Sequence, residues 1–195
     1  MNLWILKIAF VVFMVGNWVI RYPFEKKQKK NTIVVDQKTT TEKVLLFLVF
    51  LGLFILPLLF LVSPWLGFAD FEAPIGASIA GMLLIPPSWW LFYRSHKDLG
   101  MNWSPSLEVR EGHTLITNGV YQRMRHPMYS AIWLWCFVQA LLLPNLVAGL
   151  AGLVTFGLMY FIRVPQEEKM MLDKFGEQYE NYRQRTGRIL PKMSG

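Results

Sequence analysis

Charge is scarce in this chain: only 17% of its 195 residues are Asp, Glu, Lys or Arg, against roughly 25% in an ordinary soluble domain. That scarcity disfavours a soluble globule. A single cysteine, Cys136, lies inside an apolar run and excludes a disulfide scaffold. Three histidines and that one cysteine, scattered along the sequence, do not make a structural zinc site. There is no GxG of any kind, no GxSxG and no HExxH, so the usual glycine-rich nucleotide turn, serine elbow and zinc-protease helix are absent. Internal repeats and low-complexity segments are lacking too. What is abundant is apolar: 53% of residues are hydrophobic and 15% aromatic, which excludes a disordered chain.

The apolar residues come as long runs. Leu3 to Ile20 is interrupted only by Lys7 and is followed, not preceded, by basic residues, so it reads as a retained anchor and not a cleaved signal. Val44 to Ala69 is uncharged, and Ser63-Pro64 limits its helix to 44–62. Ala73 to Tyr93 is a third run, in which Pro86-Pro87 should break or kink the helix. Pro127 to Ile162 holds 36 uncharged residues, too many for one span; Pro144-Asn145 divides it into 127–143 and 146–162, each about 25 Å as helix. The expected fold is all-α: a single polytopic membrane domain over 1–195 with five transmembrane helices, the last two forming a tight hairpin. Gly76, Ala77, Ala80 and Gly81 in the third span, and Ala148 with Gly152 in the fifth, are small residues that allow close helix packing.

The side on which Lys and Arg fall sets the orientation. With the amino terminus outside, the segments 21–43, 94–126 and 163–195 face the cytoplasm and hold 19 of the 20 basic and 11 of the 13 acidic residues, or +8. The outer side keeps Lys7, Asp70 and Glu72, or −1. The net +7 is therefore a topology signal and an attraction to anionic headgroups, with no nucleic-acid partner required.

Two inner segments are too structured to be tethers, in contrast to the polar, linker-like stretch 26–41, which reads as mobile. Residues 94–124 contain turn signals at Asp98-Leu99-Gly100, Arg110-Glu111-Gly112 and Thr117-Asn118-Gly119. From Arg163 onward, Pro165 suits a first helical turn, and Met171, Leu172, Phe175, Tyr179 and Tyr182 recur on one face to about Arg185, which predicts an amphipathic helix on the inner face. Arg125-His126, Arg163 and Glu167-Glu168 then meet at one membrane edge. Ionisable groups at that depth face a cavity or a partner, although arginine also snorkels to headgroups and glutamate also caps helices. The residues by themselves lead to a five-span protein with a polar cytoplasmic pocket.

At those residues the chain resembles the isoprenylcysteine carboxyl methyltransferases, in the form of a prokaryotic-type integral membrane member. The matching blocks are His113-Thr-Leu-Ile-Thr-Asn-Gly119-Val-Tyr121, Arg125-His-Pro-Met-Tyr129, Arg163 with Glu167-Glu168, and Phe175-Gly-Glu-Gln-Tyr179-Glu-Asn-Tyr182, within a methyltransferase-like portion over 94–191. The stretch Asp98 to Ser104 adds to the likeness. The resemblance implies that S-adenosylmethionine is held by the cytoplasmic loop, the hairpin edge and the carboxy-terminal helix. His113, Thr114, Leu115, Ile116, Tyr121, His126, Pro127, Met128 and Tyr129 would line its pocket. Glu167 would meet the methionyl ammonium with Glu168 assisting, and Arg163 would bind the substrate carboxylate. Where the family carries a glutamine ahead of the histidine block, equal spacing here gives Ser106.

The function so implied is methylation of the carboxylate of a lipidic, isoprenylcysteine-like acid in the bilayer, with S-adenosylhomocysteine as the second product and no metal. A phospholipid amine N-methyltransferase is the alternative. It ranks lower because an amine needs a proton acceptor and gains nothing from Arg163. A non-enzymatic scaffold or small-solute carrier ranks lower still, since carriers place polar residues at the membrane midplane and none lies there.

Overall fold

The computed structural model describes residues 2–28, 33–36, 39–100, 108–110 and 114–192. Its helices are α1 (Leu3–Gln28), α2 (Thr40–Phe50), α3 (Leu56–Val62), α4 (Ile75–Leu99), α5 (Pro127–Leu142), α6 (Leu146–Phe175) and α7 (Glu177–Arg185). A π-helical turn, Leu51–Ile55, joins α2 to α3 into one rod from Thr40 to Val62. That rod, α1, α4 and α6 are long and apolar enough to cross a membrane; α5 is apolar at 16 residues, about 24 Å.

The bundle is apolar on both sides of its helices. On α1, Leu6, Phe10 and Phe13 are buried in the bundle, while Trp4, Ile8, Val12 and Trp18 are exposed on the opposite face. A helix that is hydrophobic all round needs an apolar solvent outside as well as a core inside. The core runs through Phe13, Leu53, Phe60, Trp135, Leu142 and Phe156, with α4 against α5, α5 against α6, and α1 and α2 closing the sides. Cys136 is packed within this core and wholly buried.

Polar side chains tie the apolar rods together. In the π turn the Leu56 N–H reaches back to the Leu51 carbonyl, and Pro57 has no N–H to offer, so the Gly52 carbonyl loses its helical donors. Gln139 Nε2 on α5 supplies one at 2.9 Å and also donates to the Ala148 carbonyl on α6 at 2.7 Å. One buried amide thus satisfies the freed carbonyl of the π turn and ties it to α6, the condition for irregular helix at membrane depth. Gly81 lets α4 lie close against α5: a Cβ there would fall 2.9 Å from side-chain atoms of Leu141 and Leu142. Gly76, by contrast, faces open space. Between α5 and α6, Asn145 caps the new helix by accepting from the Ala148 N–H at 2.8 Å, while its own amide donates to Asp70 Oδ1 at 2.7 Å.

Several expectations are corrected. Helix α1 continues through Pro23 eight residues past Ile20, and α4 passes through Pro86 and Pro87 without ending, as far as Leu99. No new helix starts at Pro165; α6 runs through it to Phe175, and the break falls at Gly176, whose φ of 52° is open to glycine. The fold is helical as expected, and the described residues add one short two-stranded ribbon. Ile33–Asp36, inside the stretch expected to be a mobile linker, pairs antiparallel with Glu108–Arg110. Of the turn signals, Gly100 and Gly119 carry positive φ, whereas Glu111 and Gly112 lie outside the described residues.

Candidate active site

The site is assembled where the end of α4, the start of α5 and the stretch of α6 carrying Arg163 to Glu168 meet at one edge of the bundle. Gly119 turns the chain, and the Asp98 carboxylate at the end of α4 accepts from the Val120 N–H at 2.9 Å, which anchors the 3-10 turn carrying Tyr121. Pro127 then opens α5, its missing N–H harmless in a first turn. The carboxy-terminal segment closes the edge from below. Arg125 and His126 donate backbone N–H bonds to the carbonyls of Gly187 and Arg188, each at 2.9 Å, and the Tyr182 hydroxyl donates to the Tyr121 carbonyl at 2.6 Å.

Within this frame two adjacent glutamates do different work. Glu167 accepts from the Tyr129 hydroxyl at 2.6 Å and from Arg163 Nε at 2.7 Å. Glu168 faces the other way, binding Arg125 at 3.1 Å, His126 Nε2 at 3.3 Å and Arg188 at 2.9 Å. His126 bridges the pair, with its Nδ1 3.7 Å from Glu167. Arg163, only 7% exposed, has a second acidic neighbour: Glu42 of α2 places Oε1 3.5 Å from Arg163 Nη1. Burial pushes the Tyr179 phenol up to about 12 and raises Tyr121 and Tyr182 as well, so these three remain protonated donors at neutral pH.

A cavity of about 540 Å³ opens over this network, a size suited to a cofactor or drug-sized ligand. Of the residues singled out in the sequence, Thr114, Leu115, Ile116, Tyr121, His126, Met128, Tyr129, Arg163 and Glu167 line it. Pro127 and Glu168 stand outside that wall, and His113 and Ser106 fall outside the described residues. Away from the ionised end the cavity continues between α1, α2 and α5, walled by Leu46, Val49, Leu53, Phe54, Ile132 and Trp135.

Sequence reasoning did not single out Glu42, the α1 wall residues Asn17 and Arg21, or Arg188. Asn17 alone left a signal, as a polar residue inside an apolar run. Glu42 sat among the charges of an inner loop, and Arg188 in a basic tail.

An apolar helical bundle with four helices able to cross a membrane, and a cavity that joins an ionised edge to an apolar interior, defines an integral membrane protein. Residues 82–173 match the model of the isoprenylcysteine carboxyl methyltransferase (ICMT) family, the one the sequence motifs resemble. Protein-S-isoprenylcysteine O-methyltransferase B of Arabidopsis thaliana is 35% identical over 94 residues, covering 47% of this chain and 48% of that protein. The Homo sapiens protein-S-isoprenylcysteine O-methyltransferase is 29% identical over 120 residues, covering 60% of this chain and 42% of the relative. The chain thus aligns with less than half the length of these curated relatives. A solved structure described as the eukaryotic intramembrane Ras methyltransferase ICMT superposes with a TM-score of 0.51 at 25% identity, covering 81% of this chain and 54% of that one.

Proposed function

We propose that the protein is an S-adenosylmethionine-dependent carboxyl methyltransferase that esterifies a lipidic, isoprenylcysteine-like acid at the cytoplasmic face of a membrane. One observation carries the reading: a single cavity runs from buried Arg163 and half-buried Glu167 to an apolar arm lined by Leu53, Phe54 and Trp135. An amphiphilic acid is the ligand that matches both ends. Its hydrocarbon tail needs only an apolar wall, while its carboxylate needs a fixed cation at the boundary.

The residues present fit the cofactor. Glu167 offers a carboxylate to an ammonium group, and Leu115, Ile116 and Met128, with Thr114 beside them, offer an apolar and hydrogen-bonding surface to a nucleoside. When bound, S-adenosylmethionine supplies an electrophilic methyl group on a sulfonium. The protein's task is then positional. Arg163 holds the acceptor carboxylate as the anion, ready as a nucleophile without a general base. The buried, aromatic walls keep water from competing for it. Formal charges in the network balance, with Arg125, Arg163 and Arg188 against Glu42, Glu167 and Glu168, so a cationic cofactor and an anionic acceptor enter as a neutral pair.

The orientation goes with this reading: five spans, amino terminus outside, site on the cytoplasmic side. The +8 inner charge supports it. The connection between α3 and α4, where Trp65 and Phe68 are 76% and 81% exposed, suits an interfacial aromatic anchor at the end of a span, whichever face it lies on.

The test offers purified protein methyl-labelled S-adenosylmethionine with either an N-acetylated, S-farnesylated cysteine or phosphatidylethanolamine. Base-labile label on the cysteine acid is expected. Label on the phospholipid amine instead would move the acceptor class to amines, and label on neither would overturn the activity.

A further inference from the structure

Glu42 is a carboxylate in an unusual place. Thr39 Oγ1 accepts from the Glu42 N–H at 3.1 Å, so the residue sits in the first turn of α2, where a negative charge suits the helix end. Such a residue normally points to water. Here the side chain is 4% exposed and reaches Arg163 on α6, itself 8% exposed at the side chain. Taking both groups out of water costs several kcal/mol per ion by the general scale, so the pairing has to be tight enough to offset it.

The geometry separates the two glutamates that hold Arg163. Glu167 binds Nε and lines the cavity; Glu42 approaches Nη1 and is not among the lining residues, although Leu46 and Val49, one and two turns further along α2, are. Glu42 therefore touches the guanidinium from behind the ligand wall. It also lies outside residues 82–173, the segment matched to the family.

A carboxylate nucleophile sets a particular requirement on the cation that binds it. Its negative charge disappears as the methyl group is transferred, so a guanidinium that grips the anion with full force stabilises the ground state more than the transition state. A carboxylate fixed behind that guanidinium takes up part of its field and fixes its plane. We infer that Glu42 is a positioning residue: it orients the Arg163 guanidinium and moderates its hold on the acceptor carboxylate. This inference rests on the carboxyl methyltransferase reading.

The experiment is a double-mutant cycle of Glu42→Gln and Arg163→Lys. Steady-state kinetics use the farnesylated cysteine acid, and S-adenosylmethionine affinity is measured by calorimetry. Glutamine keeps the length of Glu42 and one acceptor oxygen for the guanidinium while removing the charge. In the otherwise wild-type protein, Glu42→Gln is expected to lower kcat about 10-fold without raising KM, the pattern of a loss confined to the transition state or of lost ground-state strain. Cofactor affinity should stay within about 2-fold, and Glu42→Asp should restore part of kcat. In the Arg163→Lys background the same substitution should change kcat less than about 2-fold, because its effect runs through the guanidinium.

Equal kcat losses in both backgrounds would overturn the inference. So would wild-type kinetics, or a raised KM together with weakened cofactor binding, which would mark a merely structural loss. A wild-type protein that methylates no acid overturns the underlying reading and the inference with it. An active wild type with an uncoupled cycle removes the role of Glu42 alone.

Discussion

The two sides of the cavity are built by different means. On the side of α5, α6 and α7 the wall is ionised and cross-bonded: Tyr129, His126, Arg163 and Glu167 hold one another within 3.7 Å, and Tyr182 fastens the loop carrying Tyr121. On the side of α1 and α2 it is chiefly aromatic and aliphatic, with Phe50 stacked on Phe54 and Phe54 edge-on to Trp135 across the join to α5. Of the first side, α5 and nearly all of α6 fall within the family-matched segment 82–173, while α1 and α2 of the second lie outside it. The difference is physical. Polar chemistry fixes residue types and spacing, since a misplaced donor or charge costs both stability and rate. An apolar wall asks only for volume and hydrophobicity, which many sequences meet. Glu42 crosses the divide, a charge sent from the apolar side to the polar one.

The strongest way to break this contrast is to remove the cation that both sides share. Arg163→Ala should lower turnover of a prenylated acid by about 100-fold or more, since the acceptor loses its positioning group. The variant also leaves Glu42 and Glu167 without their common partner, so thermal unfolding should be followed alongside the kinetics. Near-wild-type turnover would show that the ionised side does not hold the acceptor.

A second, smaller effect separates the two neighbouring glutamates. Glu167 lines the cavity and Glu168 does not. Glu167→Ala should weaken S-adenosylmethionine binding about 10-fold or more by calorimetry, the scale of a lost charge-assisted contact. Glu168→Ala should instead act on stability. It leaves the Arg125 guanidinium, 8% exposed, without its carboxylate and frees Arg188, at a cost of about 3 kcal/mol in thermal or denaturant unfolding. Cofactor affinity lost equally in both variants would erase the distinction drawn from the cavity wall.

The same contrast explains what the sequence reveals and what it hides. Apolar runs locate the rods, because a lipid-facing helix must be hydrophobic along its length; the starts of α4 and α5 fall within two residues of the expected ones. Helix ends are less legible. Charges and prolines mark them in soluble proteins, yet α1 runs on past Arg21 and Pro23, α4 past Pro86-Pro87 and α6 past Pro165. A proline inside a spanning helix costs one backbone bond, and neighbours can make good the carbonyl it frees, as Gln139 does for Gly52 near Pro57. Site residues were readable where they cluster in sequence, as in Arg125 to Tyr129. Glu42 was not, because an acid in a first helical turn has an ordinary local explanation and its partner lies on a helix remote in the chain.

The least drastic test sharpens the apolar side. Phe54 lines the cavity arm and packs edge-on against Trp135 at 5.4 Å between ring centroids. Phe54→Leu keeps that wall hydrophobic while reducing its bulk, so folding and chemistry should survive and only the space for a tail should change. If the arm receives the prenyl chain, the variant should shift the ratio of kcat/KM for geranylgeranylated over farnesylated cysteine acid upward by about 3- to 10-fold, the discrimination that small volume changes in an apolar pocket provide. Turnover of a short, unprenylated thioether acid should be unaffected, since its carboxylate meets only the ionised side. A ratio that stays fixed while both prenylated substrates slow together would place the tail elsewhere, outside the wall that α2 supplies.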